Sequence, residues 1–184
     1  FKTASDAQQT LFATVNPSDG SHEVAIRMDN GQLTGSHYSN DIISSDAFND
    51  NLWHHYAVAG DAVSNEFTFY IDGVIIGSVS GIEQTPDLSE IVMARKSPES
   101  ASEYFAGRLD ETRLWNSGRT GDQISGTKNQ VLEGDEFGLT HYWRMNEGEN
   151  LLITDVVNMV TGTITGVEGS MMGEIWQQDI PLNE

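Results

Sequence analysis

Three runs decide the fold: Asn51-Leu52-Trp53-His54-His55-Tyr56-Ala57-Val58-Ala59, then Glu66-Phe67-Thr68-Phe69-Tyr70-Ile71-Asp72-Gly73, then Tyr104-Phe105-Ala106-Gly107-Arg108-Leu109-Asp110-Glu111-Thr112-Arg113-Leu114-Trp115-Asn116. The middle run alternates Phe67, Phe69 and Ile71 with Glu66, Thr68 and Tyr70, the period of a half-buried strand. Asp72-Gly73 suits the positive φ angles of a two-residue hairpin, so the chain should double back into Val74–Val79. The outer runs are rich in aromatic and β-branched residues and predict strands at Asn51–Ala59 and Tyr104–Trp115.

The same grammar extends outward. Gln9–Val15 and Glu23–Asp29 read as strands, and Asn30-Gly31 predicts a hairpin into Gln32–Tyr38. Ile91–Ala94, Gly138–Met145, Val160–Val167 and Glu174–Trp176 add four further strands. Thr120-Gly121-Asp122-Gln123-Ile124 opens with a capping residue, which predicts a helix of two or three turns reaching Leu132 and ended near Gly134. No fixed-period repeat and no low-complexity linker divides the chain, so one all-β domain over residues 1–184 is expected, with 138–184 packing on it as C-terminal strands.

Composition narrows the function. The chain has 184 residues, 9 basic against 28 acidic, for a net charge of −19. Such a surface repels nucleic acid and anionic lipid, so neither is an expected partner. No apolar run approaches the length of a membrane span, so membrane insertion is not expected. With no cysteine, disulfides, thiolate metal sites and cysteine nucleophiles are ruled out. A cysteine-free exported domain points to a bacterial secreted or cell-surface protein. The opening Phe1-Lys2-Thr3 carries no leader pattern and reads as the start of an excised piece.

Taken in series, Asn51-x-Trp53-His54-His55, Tyr70-x-Asp72-Gly73 and Gly107-x-Leu109-Asp110-Glu111-x-Arg113-Leu114-Trp115 resemble the laminin-G-like domain of the concanavalin A-like lectin/glucanase superfamily. That resemblance implies a jelly-roll β-sandwich of two antiparallel sheets with one short helix. Tyr142-Trp143-Arg144-Met145-Asn146-Glu147-Gly148, with Asp155 and Trp176, is similar to a segment found beside such domains in bacterial surface proteins. In the family, strands with F-D-G and F-T-x-E-x-W patterns precede the point where this chain opens. Their place is expected to be filled by another chain, another segment or the C-terminal strands, because an uncovered edge invites aggregation.

Several residues invite chemistry. His54 and His55 are neighbours on an expected strand, so they point to opposite faces and cannot chelate one ion together. Asp110 and Glu111 would likewise face opposite ways on an apolar strand, and the inward one needs a cation, an arginine or backbone donors. The resemblance implies a structural Ca²⁺ held by Asp110, and Glu147 and Asp155 are its expected partners if the Gly-rich C-terminal segment packs beside it. Pairing of Asp110 with Arg113 or Arg108 is the alternative. Loop acids at Asp46, Asn49 and Asp50, and at Asp29 with Asn30, are read as polar loops, and no EF-hand loop is present.

The fold also serves enzymes that cut polysaccharides, which need two carboxylates about 5–9.5 Å apart. None of the expected strands carries the E-x-D-x-x-E or E-x-x-x-E motif that places them, and a nucleophile elbow, a P-loop and a dinucleotide fingerprint are missing. The expectation is therefore a non-catalytic recognition or adhesion module of a larger exported protein, binding a glycan or a cell-surface protein. Its ligand-binding aromatics would be Tyr38, Tyr56, Tyr70 and Tyr104. A protein-interaction or spacer domain and a polysaccharide-degrading enzyme are the rival readings.

Overall fold

The computed structural model describes residues 1–16, 22–37, 40–80, 90–96, 102–148 and 150–165, with the side chains of residues 22 and 23 left aside. The chain divides into two compact units. The first comprises Phe1–Arg108 with Arg119–Lys128, and the second Leu109–Gly118 with Asn129–Glu184.

The first unit holds β1 (Lys2–Thr3), β2 (Gln9–Val15), β3 (His22–Asp29), β4 (Gln32–His37), β5 (Asn40–Ala47), β6 (Tyr56–Asp61), β7 (Glu66–Ile71), β8 (Val74–Ser80), β9 (Glu90–Met93) and β10 (Gly107–Arg108). One sheet runs β5-β4-β3-β2-β9, a second runs β6-β7-β8, and β1 pairs with β10. All the pairings are antiparallel. β2 lies inside its sheet, and all seven of its residues are buried. Burial on both faces leaves its polar side chains in need of partners. Gln9 Oε1 accepts the Ala106 N–H at 2.8 Å, Thr14 Oγ1 accepts the Val24 N–H at 3.0 Å, and the Thr10 hydroxyl donates to Glu103 at 3.1 Å.

The two larger sheets pack face to face through glycine. A Cβ on Gly35 of β4 would lie 1.9 Å from Phe69 Cδ1 of β7, and one on Gly77 of β8 would lie 2.6 Å from Ile42 Cγ2 of β5. The Phe69 ring thus lies directly on the opposing backbone. The interior void lined by Ile26, Leu33, Phe69, Tyr70 and Ile71 measures about 10 Å³, roughly one water molecule. Both expected tight hairpins are present. Asn30 and Gly31 have φ of 49° and 79°, and Asp72 and Gly73 have 53° and 83°.

The sandwich is the expected fold, with local corrections. β5 was not foreseen. The strand expected from Asn51 begins only at Tyr56, so His54 and His55 precede it. The strand expected over Tyr104–Trp115 is broken into β10 and β11 (Thr112–Trp115), because the chain turns at Glu111, whose φ is 53°. The helix α1 covers Gly121–Thr127, seven residues. Thr120 caps it in a reciprocal box with Gln123, as its position suggested, but the helix stops well short of Leu132. Gly126 and the β-branched Thr127 are weak helix formers, and Ile124 is the helix's one buried residue.

The second unit holds β11, β12 (Leu139–Trp143), β13 (Leu152–Thr154) and β14 (Thr161–Thr163). β11 pairs with β12, β13 pairs with β14, and a bridge joins Trp143 to Asp155. Among the described residues its core gathers Leu132, Leu139 and Tyr142, with Trp115, Val156 and Val157 against them. The expected strand Glu174–Trp176 and the end of Val160–Val167 lie outside the described residues.

Candidate functional site

Of the four tyrosines expected to bind ligand, three lie among the described residues. Tyr70 is 7% exposed, and Tyr56 and Tyr70 are among the residues that line the interior void. Burial pushes the Tyr56 hydroxyl's pKa upward. Alternation puts them on opposite faces: Tyr56 stands across from Ile71 on the face of Phe69 and is half-buried, whereas Tyr70 lies on the other face, where a Cβ on Gly121 of α1 would come within 3.5 Å of its ring. Tyr38 lies outside the described residues. Tyr104 is 52% exposed and is the member of the four that presents a ring to solvent.

His54 and His55, although adjacent, play different parts. His54 Nδ1 lies 2.8 Å from Asp72 Oδ2, and its Nε2 lies 3.1 Å from Asp50 Oδ1. Asp72 Oδ1 accepts the His55 N–H at 2.8 Å. The hairpin aspartate thus ties its own turn to the segment before β6. This is structural chemistry, built on the same Asp-Gly that sets the turn.

The Asp110-Glu111 pair differs from expectation. Neither residue lies on a strand. Glu111, and not Asp110, takes the arginine: its Oε2 accepts from Arg113 at 2.7 Å and from the Tyr142 hydroxyl at 2.5 Å. Burial and the neighbouring Glu111 charge push Asp110 up to about 6. Its Oδ1 accepts the Glu111 N–H at 3.0 Å. Tyr142 lies between two guanidinium groups, with Arg113 and Arg144 each 5.4 Å from the ring centroid. Both arginines also donate to loop carbonyls, Arg113 to Gln130 and Arg144 to Leu132.

Asp155 is 2% exposed and saturated with donors. It accepts from the Tyr142 N–H at 3.0 Å, the Val157 N–H at 3.0 Å and Asn158 Nδ2 at 2.7 Å, and lies 2.7 Å from His141 Nδ1. Burial alone would raise its pKa, but these donors hold it down at about 2. Glu147 accepts the Thr154 N–H through Oε1 at 2.7 Å, and its Oε2 is buried without a hydrogen-bond partner. Among the described residues, no three histidine or acidic side chains converge on one point. Asp110, Glu147 and Asp155 are thus not gathered around one point among the described residues, and both oxygens of Asp155 are engaged by its donors.

Two features escaped the sequence reading. His141 and Trp143 stack on one face of β12, 5.5 Å apart and nearly parallel. Phe137 stands 97% exposed in the loop before β12. Alternation along β12 could have revealed the first. Nothing in the sequence distinguishes Phe137 from an ordinary core residue.

Comparison with known proteins completes the description. The family model of the concanavalin A-like lectin/glucanases superfamily matches residues 1–125. A search of curated protein sequences gives no match. Among solved structures, a candidate carbohydrate binding protein from Bacteroides ovatus is similar over 91% of this chain, with a TM-score of 0.74 and 18% identity. This chain spans only 50% of that structure. A heptameric SAP-like pentraxin from Limulus polyphemus is similar over 89% of this chain and 79% of its own, with a TM-score of 0.57 and 13% identity.

Proposed function

The chain belongs to the concanavalin A-like lectin/glucanases superfamily, and from that premise we propose that it is a non-catalytic, glycan-binding module of a larger exported bacterial protein. The observation that carries the reading is how three of the described carboxylates are engaged. Glu111 is held by Arg113 and Tyr142, and Asp155 by Asn158, His141 and two backbone N–H groups. Asp72 is engaged by His54 and the His55 N–H. Hydrolysis of a glycoside needs one carboxylate free to attack or to activate water and another free to donate a proton. Carboxylates fixed in internal bonds serve a rigid scaffold better than turnover. The name of the Bacteroides ovatus structure supports the choice of a glycan over a protein partner. An extracellular setting fits the acidic, cysteine-free composition.

The test is paired. Native gels containing a neutral or an anionic polysaccharide should retard the protein, and prolonged incubation should release no reducing ends. Cleavage that disappears in Asp110→Asn would replace the reading with that of an enzyme. Calcium has no part in the reading as argued. A rise in melting temperature on adding Ca²⁺, reversed by EDTA, would bring the ion back as a stabiliser held outside the Asp110, Glu147 and Asp155 set.

A further inference from the structure

Loop 130–138 is built with unusual care for one that ends in an exposed ring. Leu132 is buried, its N–H donates to the Tyr142 hydroxyl at 3.2 Å, and its carbonyl accepts from Arg144 at 2.6 Å. The Glu136 carboxylate turns back and accepts the N–H groups of Glu133 at 2.9 Å and Gly134 at 3.0 Å. The Leu139 N–H closes the turn on the Glu136 carbonyl at 3.0 Å. Gly134 and Gly138 have φ of 100° and 86°, a conformation that costs other residues strain. Phe137, between these fixings, is 97% exposed, while Glu133 and Asp135 are also exposed.

Ordering such a loop costs conformational entropy, and Phe137 returns none of it by burial. A preordered aromatic in water is what a binding site gains from, because the ordering is complete before the ligand arrives. We infer that Phe137 is the stacking residue of a glycan subsite, with Glu133 and Asp135 accepting sugar hydroxyls, and that the glycan it takes is uncharged. This rests on the glycan-binding reading and names the place and substrate class for it.

Two observations select the occupant. A protein partner needs a buried cluster of anchors over roughly 1,000 Å² or more, whereas one exposed ring with two exposed carboxylates in the same loop matches the needs of a single pyranose, an apolar C–H face with hydroxyls at its edge. The charge then sorts the glycans. Glu133 and Asp135 are exposed in the same loop, and the chain as a whole carries −19, so sulfated or uronic acid polymers are repelled.

The experiment is affinity electrophoresis of the whole chain in gels containing a β-1,3-glucan, a galactomannan or a xylan, and in a fourth containing polygalacturonate. At least one neutral gel should retard the wild type and polygalacturonate should not. Phe137→Ala should weaken that retardation about tenfold or more, corresponding to about 1.4 kcal/mol. Phe137→Leu should behave like the alanine variant, and Phe137→Trp should match or exceed the wild type. Unchanged thermal unfolding of all three variants would show that the loop still folds. Wild-type binding untouched by Phe137→Ala, or kept by Phe137→Leu, overturns the subsite and leaves the glycan-binding reading standing. Retardation by polygalacturonate alone overturns the proposed substrate class. Retardation in no gel overturns the glycan-binding reading and the subsite with it.

Discussion

The two units of this chain are held together by different physics. In Phe1–Arg108 the order comes from apolar faces meeting: β2 is buried along its length, and Phe69 lies on Gly35 at a distance that leaves no room for a methyl group. Among the described residues of the second unit the buried apolar cluster is Leu132, Leu139 and Tyr142, and hydrogen-bonded charges do much of the ordering around it. Asp155 joins β12 to the turn at residues 155–158, and Tyr142 joins Glu111, two arginines and Leu132. Apolar packing tolerates exchange among side chains of similar volume. A saturated polar network does not, because each deletion leaves a buried group without its partner.

The largest expected effect lies in the first unit. Phe69→Ala removes a ring that is 2% exposed and leaves a cavity between the sheets, which should cost about 3–5 kcal/mol in denaturant unfolding. Hydrogen exchange should quicken across β2–β4 and β6–β8. A loss below about 1 kcal/mol would mean that the sheets do not depend on that contact. Asp155→Asn comes next, at about 2–4 kcal/mol, because an amide turns a donor toward groups that themselves donate. Faster exchange should appear at Tyr142 and Val157, whose N–H groups the carboxylate accepts. The sign with pH follows from the depressed pKa. The carboxylate's contribution is complete above about pH 4 and falls away as the pH drops toward 2. The variant should therefore lose this acid-sensitive component. An acid transition that stays unchanged in Asp155→Asn would break the contrast between the units.

The same contrast explains what could be read from the residues alone. Glu66–Ile71 alternates, Asp72-Gly73 and Asn30-Gly31 mark turns, and each pattern reports a period that packing enforces. Hence the sandwich was legible. β5 was not, because Asn40–Ala47 is exposed over most of its length and carries no apolar face. The break at Glu111 was hidden because a single positive φ on a non-glycine residue has no compositional signature. The candidate site was least legible of all. Tyr56 and Tyr70 are expected to bind ligand, yet Tyr70 is buried and Tyr56 half-buried, while Phe137, which no sequence pattern singles out, is exposed. Which carboxylate of Asp110-Glu111 meets Arg113 depends on the turn between β10 and β11, and no spacing rule contains that turn.

Asp110 gives the smallest and sharpest of the expected effects, because it shows the second unit opposing itself. Its pKa is raised to about 6, first by burial and then by Glu111, so its protonated form fits the fold and its charged form strains it. The stabilisation is present below about pH 4 and is lost as the pH rises through 6, the reverse of Asp155. An unscreened cost at pH 7 would be about 3 kcal/mol, but Asp110 is only part-buried, and solvent screening leaves about 1 kcal/mol. Asp110→Asn keeps an oxygen for the Glu111 N–H while removing the charge. It should raise stability at pH 7 by about 1 kcal/mol and leave it unchanged at pH 4, as read from denaturant midpoints at the two values. A loss of stability at pH 7 would mean that the charged form has a stabilising partner, and a bound cation at Asp110 would then be the first thing to seek.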